Sequence, residues 1–214
     1  MSRPPVVLAG PLAGHHLATL RDAATGPAAF RRAAAALSGL VVAEALRDLE
    51  GRPAEVATPL ARARVELPAR RVTLVPILRA GLVMLDPALA LLPDDTRVGF
   101  IGMARDERTA RARSYLSSLP GGLGDDEVVV LDVMIATGGS TAAALRAVRA
   151  AGARRVRVAG VIAAPEGLAA VAAADPDAAV TVAAVDSHLD ERAFIVPGLG
   201  DAGDRLYSDA GAGG

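Results

Sequence analysis

Residues 128–141 run from a β-branched stretch, Val128-Val129-Val130-Leu131, through Asp132-Val133-Met134-Ile135-Ala136 into Thr137-Gly138-Gly139-Ser140-Thr141. A buried strand ending in an acid, followed by a turn of small and hydroxylated residues that opens a helix, suits a phosphorylated ligand. Small residues let backbone N–H groups approach the phosphate, and the helix N-terminus supplies partial positive charge. Thr137, Ser140 and Thr141 add hydroxyl donors, and Asp132 is placed to accept from the vicinal hydroxyls of a ribose. The carboxyl ends of strands in open α/β sheets are where ligands gather. An ordinary strand–loop–helix turn capped by Ser140 or Thr141 would use similar residues; the buried strand and the acid in register favour the phosphate. The lysine of a Walker loop and the Gly-x-Gly-x-x-Gly of dinucleotide sites are both absent.

Two more segments carry chemistry. Val75-Pro76-Ile77-Leu78 ends in Arg79-Ala80-Gly81, which presents one guanidinium and accessible N–H groups to an anion. Arg matches the paired oxygens of a diphosphate, although a surface Arg after a strand would look the same by itself. Near the C-terminus, Phe194-Ile195-Val196-Pro197-Gly198-Leu199-Gly200-Asp201-Ala202-Gly203-Asp204-Arg205 predicts a tightly turned segment with exposed backbone donors and acceptors. Such backbone can match the edge of a pyrimidine dione, on which C=O and N–H alternate. A turn-rich terminal loop has the same composition.

Elements that would position these groups follow from periodicity. Residues 27–50 read as an amphipathic helix, with Pro27 in its first turn, Phe30, Ala34, Leu37, Val41 and Ala45 on one face, and Gly51 closing it. A polar, Pro-bearing stretch follows. Strands are expected at Arg71–Ile77, Arg97–Met103, Glu127–Asp132, Arg155–Ala163 and Ala179–Asp186. Helices are expected at Gly81–Leu92 (broken near Pro87), Ser140–Ala151 and Glu166–Ala174. Strands without polar alternation, separated by helices, imply an α/β fold with a central parallel sheet covered on both faces. Residues 104–126 interrupt the rhythm and read as a functional lid or an insertion.

Composition narrows the classes. The 214 residues are 52% hydrophobic and 22% charged, which suits one globular domain over 1–214. A net charge of −1, no basic run and only five Tyr and Phe with no Trp argue against nucleic-acid binding. There is no Lys, which excludes a lysine Schiff base, and no Cys, which excludes disulfides and thiolate metal sites. No signal-like N-terminus or run of eighteen uncharged apolar residues is present, so a soluble cytoplasmic protein without membrane contact is expected.

The 128–141 stretch resembles the phosphoribosyl pyrophosphate signature of type I phosphoribosyltransferases. Most of those carry two adjacent acids at the strand end. The uracil branch typically has Pro after a single acid, where Val133 stands here. Val75–Gly81, continuing through Leu82, Met84 and Asp86, resembles that branch's pyrophosphate loop, and Phe194–Arg205 its uracil-binding segment, with Phe194 in place of the usual Tyr. Further matches are His15 and Leu17, Arg21-Asp22, Phe30-Arg31, Glu44-Ala45, Arg47-Asp48, Thr58-Pro59-Leu60 and Ala163-Ala164-Pro165-Glu166-Gly167. Met103–Thr109 aligns with the family's lid hairpin, with Ala104 replacing a Tyr and Arg111-Ala112 replacing Glu-Pro.

The resemblance implies a type I phosphoribosyltransferase fold with a lid hairpin (about 104–126). A small hood is implied from the N- and C-terminal segments, the latter binding the base (about 186–207). The implied reaction is uracil plus phosphoribosyl pyrophosphate giving UMP and diphosphate, a pyrimidine salvage step. Arg79, Arg105, Asp132 and Asp201 would be catalytic. Arg79, Arg105, Asp132, Val133, Met134, Ile135, Ala136, Thr137, Gly138, Gly139, Ser140 and Asp201 would bind the sugar donor, and Ile195, Gly200, Asp201 and Ala202 the uracil. Mg²⁺ would ride on the diphosphate, touching the protein through water at Asp201. Relatives of this kind also suggest GTP as an activator and a homodimer or higher homo-oligomer. No residue is assigned as the base that takes the N1 proton, and the three histidines have no assigned role. Three other readings are a nucleotide-sensing regulator on the same fold, a paralogue inactivated by Val133, Ala104 and Phe194, and an enzyme for purine or orotate. The absence of a basic patch or helix-turn-helix speaks against the first, and Gly200-Asp201-Ala202 against the third.

Overall fold

The computed structural model describes residues 3–105 and 112–207, and all their side chains except those of 104, 105 and 112–114. In chain order the elements are β1 (Val6–Val7), α1 (Pro11–Arg21), α2 (Pro27–Ala45), β2 (Gly51–Ala57), β3 (Arg62–Pro68), β4 (Val72–Leu78), a 3-10 turn (Ala80–Met84) and α3 (Leu85–Leu89). They continue with β5 (Arg97–Val98), β6 (Phe100–Arg105), β7 (Ala112–Ser118), β8 (Glu127–Ile135), α4 (Gly139–Ala150), β9 (Arg155–Ala163) and α5 (Pro165–Ala174). The last are β10 (Ala179–Val185), β11 (His188–Leu189), β12 (Ile195–Val196) and α6 (Ala202–Tyr207).

The main sheet runs β1-β10-β9-β8-β4-β6-β7, with β5 also on β4. Its pairs are parallel except the β6–β7 hairpin. Alternation along β8 sets the layers. Val129, Leu131 and Val133 enter a core with α1, α2 and the C-terminal segment, while Val128 and Val130 enter a second core with α4 and α5. Asp132 follows Val130 by two residues and therefore faces the α4 side. One polar residue in an otherwise apolar run is thus aimed at the turn that begins α4.

The terminal segments meet as a hood. Arg205 of α6 donates to the carbonyls of Leu20 (2.5 Å), Asp22 (2.7 Å) and Leu199 (2.8 Å) and lies 4.3 Å over the Phe30 ring. One side chain thereby fastens α6 to the end of α1 and the start of α2. Leu206 is fully buried beneath it.

The structure corrects the sequence reading in several places, among them Arg97–Met103, which is divided at Gly99 into β5 and β6. β8 continues through Ile135 rather than stopping at Asp132, because parallel pairing with β9 extends to Ile135↔Ala163. α2 ends at Ala45, not 50; Arg157 of β9 takes the Ala45 carbonyl at 2.9 Å and the Asp48 carboxylate at 2.5 Å, satisfying the helix end early. The Pro-bearing stretch after Gly51 is an antiparallel hairpin, β2–β3, with Thr58 turning its tip. The expected break in 81–92 falls at Leu85, ahead of Pro87, since Pro is tolerated in the first turn of α3.

Candidate functional site

The turn from β8 to α4 is built around two glycines. Gly138, the N-cap of α4, has φ 73°, a left-handed conformation costly for other residues. A Cβ there would lie 2.5 Å from the Gly167 carbonyl, and one on Gly167 would lie 2.3 Å from the Ile135 carbonyl. The turn is thus pressed onto α5, with its outer side left to solvent: Thr137 is exposed and Ser140 half-buried. Thr137 Oγ1 accepts from the Gly139 amide at 3.4 Å. Gly138→Ala is expected to destabilise the fold by more than the roughly 1–2 kcal/mol of left-handed backbone strain, because the clash is with backbone. Urea unfolding midpoints check this, and an unchanged midpoint would refute the close packing.

Thr141 does not serve as a free donor. Its hydroxyl is fully buried and donates to Asp132 Oδ2 at 2.7 Å. The Met134 amide donates to Oδ1 at 3.4 Å. Burial pushes the Asp132 carboxyl up to about 6, against the Thr141 hydroxyl and the Met134 amide, which hold it down. Asp132 is a positioned acceptor, oriented by the helix that begins at the 137–141 turn.

Arg79 leaves β4 beside this turn. β4 and β8 are neighbours in parallel register, with Pro76 opposite Leu131. A Cβ on Gly81 would lie 2.6 Å from the Leu131 carbonyl, so the backbone after Arg79 packs directly on β8. The guanidinium is exposed and, among the described residues, makes no hydrogen bond or ion pair. An exposed cation, unpaired among the described residues, and a cluster of turn amides therefore sit at adjacent strand ends.

The C-terminal segment is tethered at two points. Asp186, at the end of β10, is buried, and its carboxylate binds Arg21 at 2.5 and 2.8 Å and the Gly198 amide at 2.9 Å. Arg21 also donates to the Gly198 carbonyl at 2.9 Å. Gly198 has φ 62°, and a Cβ there would meet the Ile195 carbonyl at 2.0 Å. The second tether is Glu166 of α5, which accepts the Leu189 amide at 3.1 Å. Since Gly167 packs on the 137–141 turn, one helix end contacts both that turn and the C-terminal hairpin. Arg21→Met should cost roughly 2–4 kcal/mol by leaving a buried carboxylate half-satisfied. Denaturant unfolding measures this, and a loss under about 0.5 kcal/mol would contradict it.

The remaining sequence-predicted residues divide by side-chain burial. Val133 and Ile135 are 1% and 0% exposed, so they offer only backbone to a ligand. Ile195 and Ala202 are buried likewise, whereas Gly200 and Asp201 are exposed. Met134 and Ala136 are half-buried. Asp201 Oδ1 accepts the Asp204 amide at 3.0 Å, capping α6. Arg105 closes β6 opposite Ala112, but its side chain and the following Asp106–Arg111 lie outside the described residues. Val133 continues β8 without interruption. Phe194 is part-exposed. Sequence reasoning matched Arg21 to a pattern without a role and gave Asp186 none; a strand-end acid, as at Asp132, was the available signal.

The model of the uracil phosphoribosyltransferase family matches residues 7–208. The chain belongs to that family. A uracil phosphoribosyltransferase of Symbiobacterium thermophilum is 47% identical over 203 residues, covering 94% of this chain and 97% of the relative. One of Kineococcus radiotolerans is 50% identical, with the same coverages. The solved structure of the AQ2163 protein from Aquifex aeolicus superposes with a TM-score of 0.90 at 38% identity, covering 95% of this chain and 98% of that one. The uracil phosphoribosyltransferase family thus accounts for nearly the full length, and the structure has a central, mostly parallel sheet flanked by helices.

Proposed function

We propose that the protein transfers the phosphoribosyl group of 5-phospho-α-D-ribose 1-diphosphate to N1 of uracil, forming UMP and diphosphate in pyrimidine salvage. The observation that carries this reading is the β4–β8 adjacency, which sets Arg79 and the Thr137–Thr141 turn side by side. A donor with phosphate groups at both ends of one sugar can engage both. The turn amides and the Thr137 and Ser140 hydroxyls hold the 5-phosphate, and Asp132 accepts from the ribose hydroxyls. Backbone groups of Ile195, Gly200 and Ala202 hold uracil.

The anomeric C–O bond breaks as the C–N1 bond forms on the opposite face, through an oxocarbenium-like state with inversion. Positioning the two substrates supplies much of the rate. The departing diphosphate takes the bonding pair, and Arg79 and Arg105 stabilise its growing charge. The N1 proton leaves to a base that no residue here is assigned to supply. Among the described residues no cluster of three His, Cys, Asp or Glu side chains could hold a metal. The exposed Asp201 carboxylate suits a water on Mg²⁺ carried by the diphosphate, an ion that would neutralise leaving-group charge.

Among the described residues no helix is long and apolar enough to cross a membrane; a cytoplasmic location is part of the proposal. A homodimer or larger homo-oligomer and activation by GTP complete the proposal. A panel of uracil, cytosine, orotate, hypoxanthine and adenine, followed by diphosphate release with and without GTP, tests it. Uracil alone should support release; preference for a purine or orotate would overturn the assignment.

A further inference from the structure

The C-terminal segment is stapled on both sides to one place, the C-terminal end of α1. Upstream, Arg21 bridges two residues: Nη1 donates to Asp186 Oδ2 at 2.8 Å and to the Gly198 carbonyl at 2.9 Å. The same Asp186 oxygen accepts the Gly198 amide at 2.9 Å. Asp186 is itself fixed, since its side chain is buried and its amide donates to the Ala163 carbonyl at 2.8 Å, at the end of β9. Downstream, Arg205 donates to the Leu199 carbonyl and to the carbonyls of Leu20 and Asp22, the residues on either side of Arg21. Each partner in this contact thus sends one arginine into the other's backbone.

Backbone accounting then isolates one residue. Both polar groups of Gly198 are engaged, Arg205 holds the Leu199 carbonyl, and the Asp201 carbonyl accepts the Arg205 amide at 3.0 Å. Gly200 between them is exposed, has φ 77°, and among the described residues its N–H and C=O make no hydrogen bond. A free donor and acceptor held between fixed neighbours form a preorganised binding element, because folding has already met the entropic cost of ordering them.

We propose that Arg21 and Arg205 are positioning residues for the base. They fix the backbone on both sides of Gly200 so that its N–H and C=O meet the edge of uracil, and they act through that backbone rather than on the substrate. The proposal rests on the assignment of this segment to uracil made above. It adds what sets the affinity there: the end of α1, 177 residues from Gly198 in the chain.

Arg21→Lys keeps a cation beside Asp186 but lacks the fork that reaches the carboxylate and the Gly198 carbonyl together. It should raise KM for uracil about tenfold, the scale of losing one charge-assisted hydrogen bond. Turnover at saturating uracil and KM for the sugar donor should stay as in the wild type, and amide exchange over 196–200 should quicken. Arg205→Lys is an independent second variant with the same expectation. Arg149→Met serves as the control, since it breaks an ion pair to Asp175, as buried as Asp186. It should lower the melting temperature and leave KM for uracil unmoved. An unchanged uracil KM in both lysine variants, an equal rise in both substrates' KM, or a matching rise in Arg149→Met would overturn the proposal. The underlying reading fails separately: wild-type protein that transfers nothing to uracil would undo the base assignment, while exchange over 196–200 would still report the clamp.

Discussion

Replacing Arg79 by Ala is expected to lower turnover by roughly 10²–10³, the scale of removing one preorganised charge donor from a transition state. The reasoning starts from exposure and pairing. Among the described residues, the Arg79 guanidinium has no hydrogen bond or ion pair, so folding gives it no structural task. Removing it should therefore leave the melting temperature within a degree or two of wild type. The chemistry is different, because charge on the leaving diphosphate grows as the C–O bond stretches. A contact that strengthens along that path appears in kcat more than in substrate affinity. Arg79→Lys should fall between the two, keeping the charge but losing the paired donors. Steady-state kinetics of the purified variants checks this. Near-wild-type turnover in Arg79→Ala would remove Arg79 from the mechanism.

Asp132→Asn is expected to weaken binding of the sugar donor roughly 10²-fold, the scale of losing charge-assisted hydrogen bonds to two hydroxyls, and uracil binding far less. Calorimetry with each ligand measures both, and equal effects would contradict the assignment. The carboxyl's elevated value, about 6, adds a pH signature. Donor binding by the wild type should weaken as pH falls through 6, where Asp132 gains a proton and loses acceptor capacity. The donor's own phosphates titrate nearby, so the difference between wild type and variant carries the argument.

Stability should move the other way. The folded protein holds the Asp132 proton more tightly than the unfolded chain does. The stability linked to that proton is therefore full below about 4 and disappears as pH rises through about 6. Above that, the buried charge costs about 3 kcal/mol, taken from a rise of the carboxyl from 3.8 to about 6. Ligand-free Asp132→Asn should accordingly unfold at a higher temperature than wild type at pH 8, with the gap closing towards pH 5. A residue that weakens the resting fold while gripping substrate is the pattern of a functional group.

How much of this was legible in the sequence depended on whether the signal was local. β9 coincides with the expected Arg155–Ala163 because a β-branched run buried on both faces announces itself. The β2–β3 hairpin did not: most of its residues are exposed, β2 carries Gly51 and Pro53 and no clean alternation, and the alternation of Arg62–Leu67 in β3 had no partner strand recognised beside it. β8 was cut short at Asp132 because a charge usually ends a buried run; the Thr141 hydroxyl that satisfies it lies nine residues on. The same bond explains why Thr141 was misread as a phosphate donor. Arg21 and Asp186 stand 165 residues apart, and nothing short of the fold brings them together. The Arg79 segment and the 137–141 turn stood out by residue type alone, but their adjacency needed the strand order.

A crystal structure of the protein with 5-phospho-α-D-ribose 1-diphosphate tests the central claim most directly. The account predicts the 5-phosphate on the amides of Thr137–Thr141, the ribose hydroxyls at Asp132 and the diphosphate against Arg79. A donor bound elsewhere, or one leaving either strand end empty, would contradict it.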